Sequence, residues 1–494
     1  MTAAAGTACC PAPVAFDVES PVEVGGRRFG CGTAAAAAGN AVSAWFGEAK
    51  EAALLSRTLE SQSPGTSTTP VAATVLSPSR KKVRIVAFDS LRFLLVTYIV
   101  IGHFIGMSSP SLFVWRAFTQ INVMVGAFFA LSGYVAAYTN TENAAHEPSA
   151  KLLETPKTLW ILQKVSTYYP LHVFFLVIFS PIFIYPDVYF NGWATAAANG
   201  LLAVTLTQAW FPMHAEVWNA PAWFLSALTF ATVALPFALP IFARQTKAQL
   251  RRSLAFLFLV GLLPKLGYCY DLDGWGLLEG AMNPKDHPNL LSWNMQRFSP
   301  WYATVEVLLG AAACRLVMLD GAPDEEQAPK SSCFSVLAPA ITMPVVIILR
   351  ATGVLQVSDL LTRAIIIIPL FLRLLMAAHR ASIRPEVTDL CCKLLRSQPL
   401  VALGNLTFPV FLIHGPIGQL FFKRVIGNAV FGGPLQVVLG PWFFYVYLAI
   451  TLVAAWAVQN TFLSSKAVAK VSKRTCEGLA WLLQAPRSLA TPAT

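Results

Sequence analysis

Three side chains able to do chemistry stand close together in the first long apolar stretch of the chain, FDSLRFLLVTYIVIGHF: the acid Asp89, the guanidinium of Arg92 and the imidazole of His103. A charge at bilayer depth costs roughly 2.5–3.5 kcal/mol on insertion scales, so such residues face the protein interior. Eleven helical steps of about 100° carry Arg92 to His103, leaving both within about 20° of one face and about 16 Å apart along the axis. The pattern predicts a cation in one half of the membrane with a titratable ring above it, both lining one buried cavity. That equipment suits proton transfer beside a held anion. The competing reading is an interior Asp89–Arg92 ion pair and one hydrogen-bonded histidine.

Other polar groups interrupt apolar segments further on. Glu306 lies in WYATVEVLLGAAA, Arg373 in an aliphatic run, and His414 beside Pro409 and Pro416. Each alone reads more readily as a packed hydrogen-bonding residue than as a catalyst. The stretch QAWFPMHAEVWNAPAW gathers Trp210, His214, Glu216, Trp218 and Trp223. It reads either as an interfacial aromatic belt or as a platform for a sugar-like ligand. Loop 271–298 carries Asp271, Asp273, Glu279, Asp286 and His287, too poorly aligned for a metal site, and reads as solvated. No metal is expected.

The elements that position these residues are membrane helices. Of 494 residues, 55% are hydrophobic and 12% charged, and mean hydropathy is +0.57, which excludes a soluble protein of this size. The net charge of +11 is accounted for by basic loops on one side of a bilayer rather than by nucleic-acid binding. The nine cysteines show neither metal spacing nor a disulfide framework. Residues 1–79 read as a low-complexity, disordered extension without a secretory signal. Apolar segments follow at about 85–106, 119–139, 168–186, 194–212, 221–243, 253–270, 299–319, 333–350, 361–379, 399–422 and 436–463. If 194–212 crosses, the cluster Arg244, Lys247, Arg251, Arg252 and the tail bases Lys466, Lys470, Lys473 and Arg474 land opposite Arg80–Arg84. The positive-inside rule therefore predicts an all-α polytopic protein of about ten transmembrane helices. Both termini are then cytosolic, and a re-entrant or interfacial segment near 194–220 forms part of a cavity wall. Residues 464–494 read as a cytosolic tail.

Taken in order, these segments resemble the membrane-bound acyltransferase 3 family over about 84–463. FDSLRFLLVTYIVIGH matches its first-helix pattern of an acid, Leu-Arg, and a His after ten intervening residues. FFALSGY (Phe128 to Tyr134), YYPLH (Tyr168 to His172), AWFLSALTFATVALP, EVLLG (Glu306 to Gly310) and LGNLTFPVFLIHGP (Leu403 to Pro416) follow in family order. The family's Arg-x-x-Arg ahead of Tyr-Pro-Leu is replaced by Lys164 and Thr167, so a point charge stands in for a bidentate phosphate grip. Many members also carry a Glu pair after the Trp, where this chain has Leu228 and Thr229.

The resemblance implies transfer of an acyl group, usually acetyl, from cytosolic acyl-CoA to a hydroxyl of a carbohydrate or lipid-linked acceptor across the bilayer. In that reading His103 is the general base, Arg92 orients the donor and stabilises negative charge, and Asp89 orients Arg92. Arg92, Lys164 and Arg373 form the donor-binding set; Trp218, Trp223, Glu306 and His414 form the acceptor side. The alternatives are a proton-coupled permease using the intramembrane His, Arg and Glu, or an inactive scaffold. The charged residues of the first helix have no counterpart near 300, which argues against the internal repeat of a transporter.

Overall fold

The computed structural model describes residues 82–108, 110–143, 145–320, 335–383, 390–424 and 441–484. The expected extension at 1–79 lies outside the described residues, as do parts of the expected tail. The described residues form helices joined by turns, with one isolated bridge between Thr141 and Pro148. Helix α1 (Ala87–Phe104) continues as a 3₁₀ turn, and α2 (Leu112–Phe118) leads into α3 (Ile121–Asn140). Then come α4 (Lys157–Val165), α5 (Tyr169–Ile178), α6 (Ser180–Thr205), α7 (Trp223–Arg244) and α8 (Lys247–Asp271). They are followed by α9 (Leu290–Phe298), α10 (Pro300–Leu319), α11 (Leu337–Ala351), α12 (Asp359–Ile383) and α13 (Gln398–Gly404). The last are α14 (Thr407–Phe422), α15 (Pro441–Leu463) and α16 (Lys466–Gln484).

The protein is an all-α polytopic membrane protein. Among the described residues seven helices are long and apolar enough to cross a bilayer, and nine when two bent pairs each count as one span. Those pairs are α4–α5, bent by 41°, and α13–α14, bent by 59°. Helix α11 has 15 residues, about 22 Å at ~1.5 Å per residue, short of a hydrocarbon core of about 30 Å. Length and composition thus give seven to nine crossings where the sequence predicted about ten. The expected re-entrant region begins inside α6, which breaks at Gly192 (φ 79°) and ends at Leu206 (φ 53°). Short turns then carry the chain from Thr207 to α7.

Helix α10 packs against α3, α7 and α8. Its contact with α3 depends on two glycines. A Cβ on Gly133 would lie 1.7 Å from the Val307 carbonyl oxygen, and one on Gly310 would lie 1.8 Å from that of Ala130. Small residues let helix backbones approach where apolar burial provides no drive for association. Buried charges on these and neighbouring helices are matched by opposite charges or by carbonyls. Glu306 on α10 accepts from Arg363 Nε on α12 at 2.7 Å, both buried. Arg350 at the end of α11 meets Asp359 at 2.6 Å and also donates to Gln120. Arg315 donates to the carbonyls of Glu142 (2.7 Å) and Ala145 (2.8 Å).

Removing one partner of a buried pair strands the other, at about 3–5 kcal/mol. Glu306→Ala should therefore lower the unfolding temperature of the detergent-solubilised protein sharply, and Glu306→Met combined with Arg363→Met should recover most of the loss. A double variant no more stable than Glu306→Ala would show that the pair is not what the fold needs at that site.

Candidate active site

The first-helix histidine meets the last-block histidine. His103 stands in the final turn of α1 and is half-buried; His414 is fully buried in α14. His414 Nδ1 lies 3.2 Å from the Val410 carbonyl, and its Nε2 lies 3.1 Å from His103 Nδ1. A carbonyl only accepts, so His414 Nδ1 carries the proton. Its Nε2 then accepts from His103 Nδ1–H, so that in its neutral form His103 carries its basic lone pair on Nε2. Two local features allow this approach. Gly418 on α14 lets the Phe104 ring in, a Cβ there falling 2.2 Å from it, and Pro416 removes one backbone donor from the helix. Asn219 Nδ2 donates to the Leu412 carbonyl (3.1 Å) and Gln419 Nε2 to the Trp218 carbonyl (3.0 Å), tying α14 to the turns before α7.

His103 lines a cavity of about 370 Å³, within the usual size range of small-molecule sites. The kinked α6 and the following turns supply one wall, including Asp187, Asn199, His214, Glu216 and Trp218. Asp187 accepts from Asn191 (2.7 Å), Asn199 (3.0 Å) and Trp218 Nε1 (3.0 Å), and His214 Nδ1 donates to Asn199 (2.9 Å). Trp218 is held at φ 56°, a conformation that a bulky residue adopts only under constraint. Gly200 makes room for its indole. Beneath His103 lies a smaller hollow of about 30 Å³, lined by Asn122, Glu216, Arg297 and Trp223 and floored by Ile99, Val125, Phe128, Phe224 and Phe411.

Other candidates lie elsewhere. Arg92 is buried and folds back to Asp89 (2.9 Å), which also accepts from Arg84 (2.9 Å). It lines neither the cavity nor the hollow; Ile99, the hollow's nearest α1 residue, is seven residues further on, about 10 Å of helix. Neither of these two spaces is therefore the single cavity expected to be shared by Arg92 and His103. Lys164 lies over the Trp160 ring (5.4 Å), and Arg373 is exposed on the outside of α12. Glu306 is engaged with Arg363 rather than facing the cavity. Among the described residues no cluster of three or more His, Cys, Asp or Glu side chains is arranged to hold a metal.

Sequence reasoning did not single out Asn122 or Arg297, which line the hollow. Arg297 carried a readable signal, since Trp293 lies four residues before it on one helix face. The loop 271–298, expected to be solvated, instead buries Glu279 and His287. Glu279 Oε2 accepts from the Asp359 amide (2.7 Å), and Asp359 accepts in return from the Gly280 amide (2.7 Å). Burial, then the neighbouring Asp359 charge, raises the Glu279 carboxyl well above the ordinary carboxylate range, with Arg350 opposing. Tyr268, beside this clamp, hydrogen-bonds His287 at 3.0 Å.

The model of the acyltransferase 3 family, described as an acyltransferase domain, matches residues 85–459. No curated protein and no solved structure matches the chain.

An acid whose folded-state pKa is raised favours folding at low pH, and that contribution is lost as pH climbs from the unfolded value (about 4.3) through the folded one. Glu279→Gln keeps the acceptor for the Asp359 amide but cannot ionise. Its unfolding temperature should lie closest to the parent's at pH 4 and exceed it by a growing margin as the pH rises to 8. Parallel pH profiles for the two proteins would contradict a protonated Glu279.

Proposed function

We propose, for a chain that belongs to the acyltransferase 3 family, that it moves an acyl group, acetyl in our reading, from cytosolic acyl-CoA to a hydroxyl of a carbohydrate or lipid-linked acceptor on the far side of the membrane. The observation that carries this reading is the His103–His414 contact at 3.1 Å on the wall of a polar and aromatic cavity. The tautomer it sets leaves His103 Nε2 able to take a proton. Carboxylate, amide and indole groups around that cavity suit the alternating hydroxyls and apolar faces of a sugar. The bent pairs and the short α11, counted with the seven long spans, would give ten crossings with both termini cytosolic.

In the proposed step the acceptor hydroxyl gives its proton to His103 Nε2 as its oxygen attacks the thioester carbonyl carbon. Collapse of the tetrahedral adduct breaks the carbon–sulfur bond. The departing CoA thiolate recovers the proton from the His103 imidazolium, leaving an ester and free thiol. Arg92, oriented by Asp89, and Lys164 are the cations we assign to the phosphates of the donor, with Arg373 as a further basic group. The rings of Phe128, Phe224 and Phe411 line the hollow beneath His103, on the side from which the thioester would approach. A permease would use the same charges, but the buried Glu306–Arg363 pair leaves that carboxylate engaged rather than poised as a relay.

Membranes carrying the protein, given labelled acetyl-CoA, should transfer label to their own glycans or lipids. His103→Ala should cut that rate by about 10²–10⁴ while remaining inserted; undiminished transfer would remove His103 as the base. At position 414, Gln can still accept from His103 Nδ1–H whereas Leu cannot. His414→Gln should therefore retain more activity than His414→Leu, and equal losses would mean that the contact serves packing alone.

A further inference from the structure

Two polar groups meet His103 at the small hollow, and the proton transfer to His103 engages neither of them. Asn122 is the second residue of α3 and is only 6% exposed. Its backbone carbonyl faces Arg363. Its side-chain amide makes no hydrogen bond to a described residue, yet it is not among the side-chain polar atoms sealed from solvent without a partner. The surface it retains is on the walls of the cavity and the hollow. The positive end of the α3 dipole lies at the same place.

Arg297 closes the other side. Its guanidinium is held between the rings of Trp293 and Phe298, with centroids at 3.9 and 4.0 Å. Nε donates to Asn294 Oδ1 (2.9 Å) and Nη2 to Glu216 (3.1 Å). Nη1 makes no hydrogen bond to a described residue, and Arg297 lines both the cavity and the hollow. The stacking and the ion pair fix this cation in orientation before any ligand arrives.

We propose that Asn122 and Arg297 form an oxyanion site: they hold the thioester carbonyl oxygen as it becomes negative, while His103 takes the acceptor proton. This rests on the acyl-transfer reading above. The hollow holds about 30 Å³ and a water needs roughly 10–15 Å³ on the same measure, so it accommodates a group the size of a carbonyl with its methyl. His103, Asn122 and Arg297 all line it, so a carbonyl seated there lies among the three. Donors fixed in advance in a site shielded from water stabilise charge without reorganising, and in many acyl transfers most of the rate acceleration comes from this effect.

The test uses full-length protein in membranes with labelled acetyl-CoA, with Vmax and donor KM measured at equal protein level and folding checked by gel filtration in detergent. Asn122→Ala and Arg297→Lys should each lower Vmax by about 10²–10³, with donor KM within about threefold of the parent. Asn122→Asp preserves shape but aims a carboxylate at the oxyanion, so it should be worse than Asn122→Ala; a packing role predicts the reverse order. Asn122→Asp at or above Asn122→Ala in Vmax, or losses confined to donor KM, would overturn the oxyanion site while leaving the transferase reading intact. Absence of label transfer by the parent protein would overturn both.

Discussion

A charge inside hydrocarbon must find its counter-charge within the protein, and the architecture of this chain follows from that constraint. Glu306 with Arg363, Asp359 with Arg350 and Asp89 with Arg92 are buried pairs, two of them joining different parts of the chain. Once α10 is bound to α12 in this way, and pressed against α3 through Gly133 and Gly310, one side of the bundle is rigid. The backbone contact and the ion pair reinforce each other. Neither helix can slide without separating charges in a medium that does not solvate them.

Against that rigid side stands a broken one. Helix α6 is interrupted at Gly192, α13–α14 bends by 59°, and a turn-rich passage joins α6 to α7. Backbone of this kind is tolerated at membrane depth only where protein or a wet cavity satisfies it. Here Asn219 and Gln419 supply part of that satisfaction by donating to the Leu412 and Trp218 carbonyls, while the Asp187 carboxylate holds the side chains of Asn199 and Trp218 across the break. The cavity is the space left between the regular and the irregular halves. His103 stands at its wall because α1 ends there.

The buried ion pairs and the cavity draw on different residues. The pairs deep in the bundle have no share in the cavity. The groups that face it are supported from behind: His103 by His414, Trp218 by Asp187, and Arg297 by two rings and a carboxylate. Support of that kind fixes rotamers and tautomers in advance, which is what the proposed proton transfer and oxyanion require.

Much of this was legible in the chain by itself. Apolar runs near twenty residues specify membrane helices, and the helical period puts Arg92 and His103 on one face, because both are local properties of consecutive residues. The six motifs in order resemble one family, and the match over residues 85–459 places the chain in it. What spacing along one helix cannot specify is the partner of a side chain. His103 meets a residue 311 positions away, and Glu306 one 57 positions away. Asn122 carries nothing in its own segment that sets it apart, and Arg297 only the Trp293 four residues before it. Only tertiary packing decided that Arg92 turns back to Asp89, that Glu306 is tied to Arg363, and that Asn122 and Arg297 share a hollow with His103. Those outcomes depend on which helix faces which, and on the cost of leaving any polar group unmatched in an apolar interior.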